Sequence, residues 1–477
     1  MYGLIVIGDD LSSHVAAAVA AGNGIKTALL AESGMGDVCF AGDLAFNVDP
    51  APLTGFGENQ TGLSLLTELG ISLESTLLNP AYQIILPENR IDFFGGKEDL
   101  VKELTREFPE LAAGIKSFYD AITRNSESAA IWLHDHPFIQ PRRPKDYLDY
   151  IRLIPRLLRC KFDNAKLKRF MSRNALFKIV MEAQKVLLSF QTNNQNSIFS
   201  HFQYGAPMRG VYCFSQGKQA LFDSLIKKIE LTDGLYLNRC EVLSIKKGKS
   251  IEVTVMDKDG SPSMIEAANL IVSTKWQNMH LLIERKKKIN LSDFIRPVKI
   301  SHYPFTIHLG VKPKSIPEKM TRHVAVISDV NKDIYDDNLI ILESGASENE
   351  NITSASKIPL SATVFLPNNQ AIWTKENLTQ TAGSIIDRLE YFLPFLKENI
   401  EFFDIEESIN ISKKQREVVN PKYQLRKSLI SGFAAKSNKT RFGNIYLTGA
   451  SLSADAGFEG EIISGINAAS RVTGKME

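Results

Sequence analysis

Tyr2-Gly3-Leu4-Ile5-Val6-Ile7-Gly8-Asp9-Asp10-Leu11-Ser12-Ser13 opens the stretch whose reading decides the fold. The apolar, β-branched run up to Gly8 predicts a buried strand. Leu11 to Ala21 is alanine-rich, and Ser12 or Ser13 can cap its start, so a helix should follow. Gly22 and Gly24 close that helix. Lys26 to Ala31 then reads as a second strand, with Glu32 after it. Strand, tight turn, helix and strand within about 30 residues form the unit that binds dinucleotides.

The turn departs from the G-x-G-x-x-G pattern. Gly8 keeps the first glycine, Asp10 stands at the second and Ser13 at the third. The second glycine lets the backbone approach a pyrophosphate. A carboxylate there adds bulk and like charge. The acid expected on a ribose falls at Ala31, with Glu32 one residue late, and such a shift turns a strand side chain to the other face. The helix N-terminus still offers N–H groups to a phosphate, with Ser12, Ser13 and His14 as further donors and Glu32 as a ribose acceptor. The competing readings are Ser12 or Ser13 as an ordinary cap, His14 as a surface residue and Glu32 as a solvated strand end.

The 477 residues suffice for two domains. Hydrophobic residues at 44% and charged residues at 23% are ordinary globular values, and a net charge of +2 gives no reason to expect nucleic acid. No apolar run reaches the roughly 18 residues of a membrane span. The chain opens directly on a strand, so no signal peptide is expected. Cys39, Cys160, Cys213 and Cys240 form no CxxC and read as reduced thiols of a cytoplasmic protein. His134-Asp135-His136 lacks a third ligand at metal spacing and reads as a polar loop, so no metal is expected. Tyr147 to Phe162 mixes aliphatic residues with Arg152, Arg156, Arg159 and Lys161. Such a stretch suits a membrane surface, or a helix packed on its own domain with a solvated basic face, and Pro155 should interrupt it.

Further motifs recur in order along the chain. Gly36-Asp37-Val38 follows the second strand, then Phe46-Asn47-Val48-Asp49-Pro50-Ala51-Pro52, the Gln216-Gly217 turn into a helix, the strand Leu270 to Ser273, and a C-terminal Gly449, Gly457, Gly460 run. This order resembles the phytoene-desaturase-like flavoproteins of the amine-oxidase superfamily. Phe46, Asp49 and Pro52 match that family's F-x-F-D-x-G-P stretch, and Gly449, Gly457 and Gly460 match its C-terminal motif. Asp10, Ala31, Val38, Ala51, Ala450 and Asp455 replace expected cofactor contacts.

The resemblance implies an α/β chain, with a Rossmann-like FAD/NAD(P)-binding domain plus a substrate domain of helices and a mixed sheet. The binding domain is expected from residues 1–95, 206–275 and 436–477. A mostly helical substrate segment is expected at 96–205, and the substrate sheet at 276–435. FAD is the implied cofactor, with Gly8, Ser12, Ser13, Glu32, Gly449, Gly457 and Gly460 as its contacts, and no catalytic residue is nominated. The flavin in that family does the redox chemistry. Two functions follow. One is an FAD-dependent oxidoreductase acting on a hydrophobic polyene or lipid, in a cavity walled partly by Tyr303 to Val311. The other is a non-catalytic, FAD-poor pseudoenzyme that binds a lipid or a protein partner, as the Rab GDP-dissociation inhibitors of this superfamily do. Its expected place is the cytoplasm, with peripheral membrane contact as the further reading.

Overall fold

The computed structural model describes residues 1–34, 36, 38–135, 144–192, 198–276, 278, 281, 298–345, 357–416, 418–425, 438–440, 442–453 and 456–474. Strand β1 (Tyr2–Ile7), helix α1 (Leu11–Gly22) and strand β2 (Thr27–Ala31) form as the sequence predicts. Leu4, Ile5, Val6 and Ile7 are all fully buried, because the strand is covered on both faces. Leu4 and Val6 pack with Val15 and Ile462, whereas Ile5 and Ile7 pack with Val253 and Trp276.

β1 lies between β2 and the strand Pro262–Ser273, parallel to both. Leu235–Asn238 adds a parallel strand beyond β2, and Ile445–Thr448 pairs parallel with the end of Pro262–Ser273. The five parallel strands therefore follow the doubly wound order, with residues 2–31 and 445–473 in one unit. Glu241–Lys247 and Ile251–Met256 continue antiparallel from the first half of Pro262–Ser273. Leu235–Asn238 joins the opposite edge because its partner is β2. The C-terminal helix Gly457–Thr473 crosses α1 at small residues: a Cβ on Gly465 would sit 2.5 Å from the Ser12 carbonyl oxygen.

A second, mixed sheet runs in the order Ile400–Phe403, Val298–Val311, Ile358–Pro367, Leu339–Ser344, His323–Ile327, Tyr82–Ile85, Arg90–Phe93. The hairpin at 82–93, expected with the first unit, hydrogen-bonds into this sheet through His323–Ile327. In the helical region Leu100, Leu104, Phe108, Ile115 and Phe118 share one core. His134 and Asp135 end the helix Ala112–Asp135 rather than forming a loop, and His136 lies outside the described residues. Among the described residues no His, Cys, Asp and Glu group suits a metal. The helix Pro144–Met171 runs through Pro155 without a break. Pro155 and Ile151 are both exposed, so water can take the hydrogen bond that the ring removes.

Along Val298–Val311, the stretch Phe305 to Val311, expected on a cavity wall, is buried within the protein. Phe305, Ile307, Leu309 and Val311 pack against the helix Lys375–Phe392. Along the edge of the strand the backbone N–H groups of Thr306 and His308 donate to Ser412 and Ser408, at 3.2 and 3.3 Å, and on the other face Thr306 Oγ1 pairs with Thr363 Oγ1 at 2.8 Å. The His308 ring meets Phe46 edge-on at 4.8 Å, with its Nε2 3.6 Å from Cys39 Sγ. Burial pushes the His308 imidazole down to about 4. The unfolded chain therefore takes a proton below pH 6.5 that the folded chain refuses until about pH 4, and stability falls as pH falls through that window. His308→Leu should flatten the acid-side decline by up to about 1.4 kcal/mol per pH unit, read as urea midpoints between pH 6.5 and 4. His323, held near 3 by burial, keeps a residual slope in the variant.

Candidate functional site

The C-terminal ends of β1, β2 and Pro262–Ser273 converge where doubly wound sheets place their ligands. Gly8 makes the turn at φ 152°, and a Cβ there would lie 2.4 Å from Ser13 Oγ and 2.5 Å from Ser273 Cβ. The tight turn therefore forms as expected, but the chain itself fills the space beside it.

Asp10, not Ser12 or Ser13, caps α1. Its Oδ1 accepts from the Ser13 N–H at 3.0 Å, Ser13 Oγ at 2.6 Å and Ser12 Oγ at 3.0 Å. Its Oδ2 accepts from Ser273 Oγ at 2.6 Å and lies 3.8 Å from Lys275 Nζ. Burial alone would raise this carboxyl's pKa, but Lys275 and the three serine hydroxyls outweigh burial and hold it below the usual value. Ser12 and Ser13, expected on a phosphate, thus serve an internal carboxylate. His14 is buried rather than on the surface. Its Nδ1 pairs with the Asp10 carbonyl at 3.0 Å, and its ring packs on Phe222 at 4.9 Å.

Lys275 also stands 3.8 Å from Glu461 Oε1 and donates to the Val418 carbonyl. Glu461, on the C-terminal helix, is pushed up to about 7 by burial, with Lys275 opposing that rise and Asp10 adding to it. The Asn420 amide donates to Glu461 Oε2 at 2.7 Å. One lysine therefore serves two carboxylates, with Asp10 held below and Glu461 above the usual carboxylate range.

Glu32, the expected ribose acceptor, is engaged at both oxygens. Oε1 accepts from the Val242 N–H at 2.8 Å and Oε2 from the Trp276 indole at 2.7 Å. Asp9 accepts from the Ser33 N–H and hydroxyl at 3.0 and 2.7 Å, and burial raises it to about 6. Gly8, Asp9, Glu32, Ser273, Lys275, Trp276 and Asn278 line a cleft of about 200 Å³. That is below the roughly 300–1,000 Å³ of ordinary ligand pockets.

The C-terminal glycines are required by packing. A Cβ on Gly449 would meet Thr274 Oγ1 at 2.1 Å, one on Gly457 the Leu188 carbonyl oxygen at 2.1 Å, and one on Gly460 the Ser453 carbonyl oxygen at 2.4 Å. Ala450, at the position of the flavin-contacting aspartate, is fully buried in a cluster with Phe190 and Tyr423. That cover is fastened by backbone bonds: Tyr423 N–H donates to Phe190 at 2.6 Å, and Thr192 N–H to Tyr423 at 2.9 Å. Lys422 Nζ donates to the Val186 and Ser189 carbonyls, both at 2.6 Å. Asp455 lies outside the described residues. Lys275, Glu461, Asn420, Phe190 and Tyr423 carry no local motif, and the sequence reading singled out none of them.

Over 98% of this chain and 97% of the other, the structure matches a protein from Pyrococcus furiosus at 14% identity and TM-score 0.59. It matches cyclohexylamine oxidase from Brevibacterium oxydans IH-35A at 12% identity and TM-score 0.56, over 100% and 99% of the two chains. The Rab GDI from Plasmodium falciparum matches at 12% identity and TM-score 0.57, over 99% and 98%. The chain has the fold of the FAD-binding amine oxidases. No family model and no curated protein matches its sequence.

FAD is the cofactor this fold implies, and the residues at its expected contacts do not fit it. The helix N-terminus already holds a carboxylate, the ribose acid is paired twice, and aromatic side chains cover Ala450. Asp10→Ala should destabilise the chain by roughly 3–5 kcal/mol, since it leaves buried Lys275 without that counter-charge. Asp10→Asn keeps an acceptor for the Ser13 N–H and should cost less. Urea unfolding of both variants measures the difference, and equal losses below about 1 kcal/mol would show that the network holds nothing.

Proposed function

We propose that this chain is a non-catalytic relative of the flavin oxidoreductases, working as a binding subunit for a lipid or protein partner. The observation that carries this reading is the Asp10 carboxylate at the N-terminus of α1, fixed by the serines and by Lys275. The first turn of a helix favours one anion. Here the chain supplies that anion covalently, so a pyrophosphate would meet both its bulk and its charge. The likeness in fold to a Rab GDI is compatible with this reading.

The second reading is an FAD-dependent oxidoreductase. Its support is the fold itself and the cleft beside Gly8 and Glu32, which lies at the switch point of the first sheet. The finer resemblance to phytoene-desaturase-like enzymes rests on the ordered motif residues Phe46, Asp49, Pro52, Gly449, Gly457 and Gly460. A polyene substrate gains no support from Val298–Val311, whose Phe305 to Val311 stretch the chain packs on both faces.

The purified protein should show no flavin absorption in the visible and no saturable binding on titration with FAD. Asp10→Gly should not restore binding, because Phe190 and Tyr423 still cover Ala450. Flavin copurifying near one per chain would overturn this reading and establish the oxidoreductase.

A further inference from the structure

The helix Pro144–Met171 presents a stripe that no other described element covers. Leu148, Ile151, Pro155, Arg159, Phe162 and Lys166 are all exposed and follow one another at steps of three and four residues, so they share one side. Leu148 and Ile151 are each 57% exposed and Phe162 is 69% exposed, values unusual for large apolar residues. The adjoining side faces the protein. Leu167 is buried there, and Asp163 Oδ2 accepts from Asn125 at 3.0 Å beside Arg124 at 3.6 Å.

Charge singles out the same helix. It holds eight Lys and Arg against three Asp, a net +5 in a chain whose total is +2. The remainder of the protein is therefore net −3, and the positive charge is concentrated on this helix. Exposed Leu148, Ile151 and Phe162 with Arg159 and Lys166 beside them, along roughly 27 Å of a basic helix, match a surface that is anionic outside and apolar just beneath. A nucleic acid would use the charges and leave the apolar side chains in water.

We propose that this stripe docks the protein on an anionic lipid surface, with Leu148, Ile151 and Phe162 entering the headgroup boundary while Arg159 and Lys166 meet lipid phosphates and carboxylates. No described helix is long and apolar enough to cross a membrane, so the contact is peripheral.

The test is flotation of the full chain with phosphatidylcholine vesicles, with and without phosphatidylserine. The protein should float only with phosphatidylserine, and added salt should weaken it. Phe162→Asp and Arg159→Glu should each lower the bound fraction on the order of tenfold, with circular dichroism unchanged because both side chains are exposed. Leu231→Asp, at an equally exposed apolar residue elsewhere, should float like the parent. Failure of the parent to float, or flotation indifferent to Phe162→Asp, would overturn the proposal. So would displacement by a DNA duplex whose own binding survives Phe162→Asp, since that marks a site for polyanions.

Discussion

The contact between the Asp10 carboxylate and Lys275 is the constraint on which the first domain depends. It joins the start of α1 to the residues just past the strand Pro262–Ser273, and through Lys275 to Val418 and Glu461. A buried ion pair is stable only when its remaining lone pairs and protons find partners. Asp10 meets that condition with three serine hydroxyls and one backbone N–H. Four distant stretches of sequence therefore have to be in place together before any one of these charges is satisfied.

What the sequence revealed and what it hid follow from this. β1, α1 and β2 were legible because apolar runs and an alanine-rich helix are local signals. Gly8 was legible too, since its φ and the crowding by Ser13 and Ser273 leave no room for a side chain. Asp10 was recognised as foreign to a phosphate turn, but its role as the cap was assigned to Ser12 or Ser13. The acid and its serines compete for the same N–H groups, and only the position of Ser273 and Lys275 decides the outcome. Glu32 was placed at the correct strand end, yet its partners Val242 and Trp276 are some 210 and 244 residues away in sequence. The hairpin at 82–93 carried a clear strand pattern and no information about which sheet it would join.

The glycines of the C-terminal motif show how one residue type serves two ends. A sequence reading assigns Gly457 and Gly460 to ligand approach. In this fold Gly457 admits the Leu188 carbonyl and Gly460 the Ser453 carbonyl, so the freedom from a Cβ is used by backbone. The segment that contributes Leu188 continues into Phe190, which with Tyr423 buries Ala450. The same glycine pattern is compatible with an open cradle or a closed one. The difference lies in what the 186–192 and 418–425 segments do, and these carry no fingerprint.

This arrangement also explains why a single substitution should not reopen the site. Removing Asp10 would free the first turn of α1 for another anion, but it would also leave Lys275 facing only Glu461, which without the repulsion of Asp10 ionises more readily. The charge moves to a neighbour a few ångströms away rather than leaving the site. The aromatic cover has ties of its own, since Tyr423 and Phe190 are held by backbone bonds and by Lys422 on the Val186 and Ser189 carbonyls, but its 418–425 segment also meets Lys275 through Val418 and Glu461 through Asn420. Residues that share partners respond non-additively, and residues without shared partners respond independently. The turn and the cover belong to the first case, because both draw on Lys275 and Glu461.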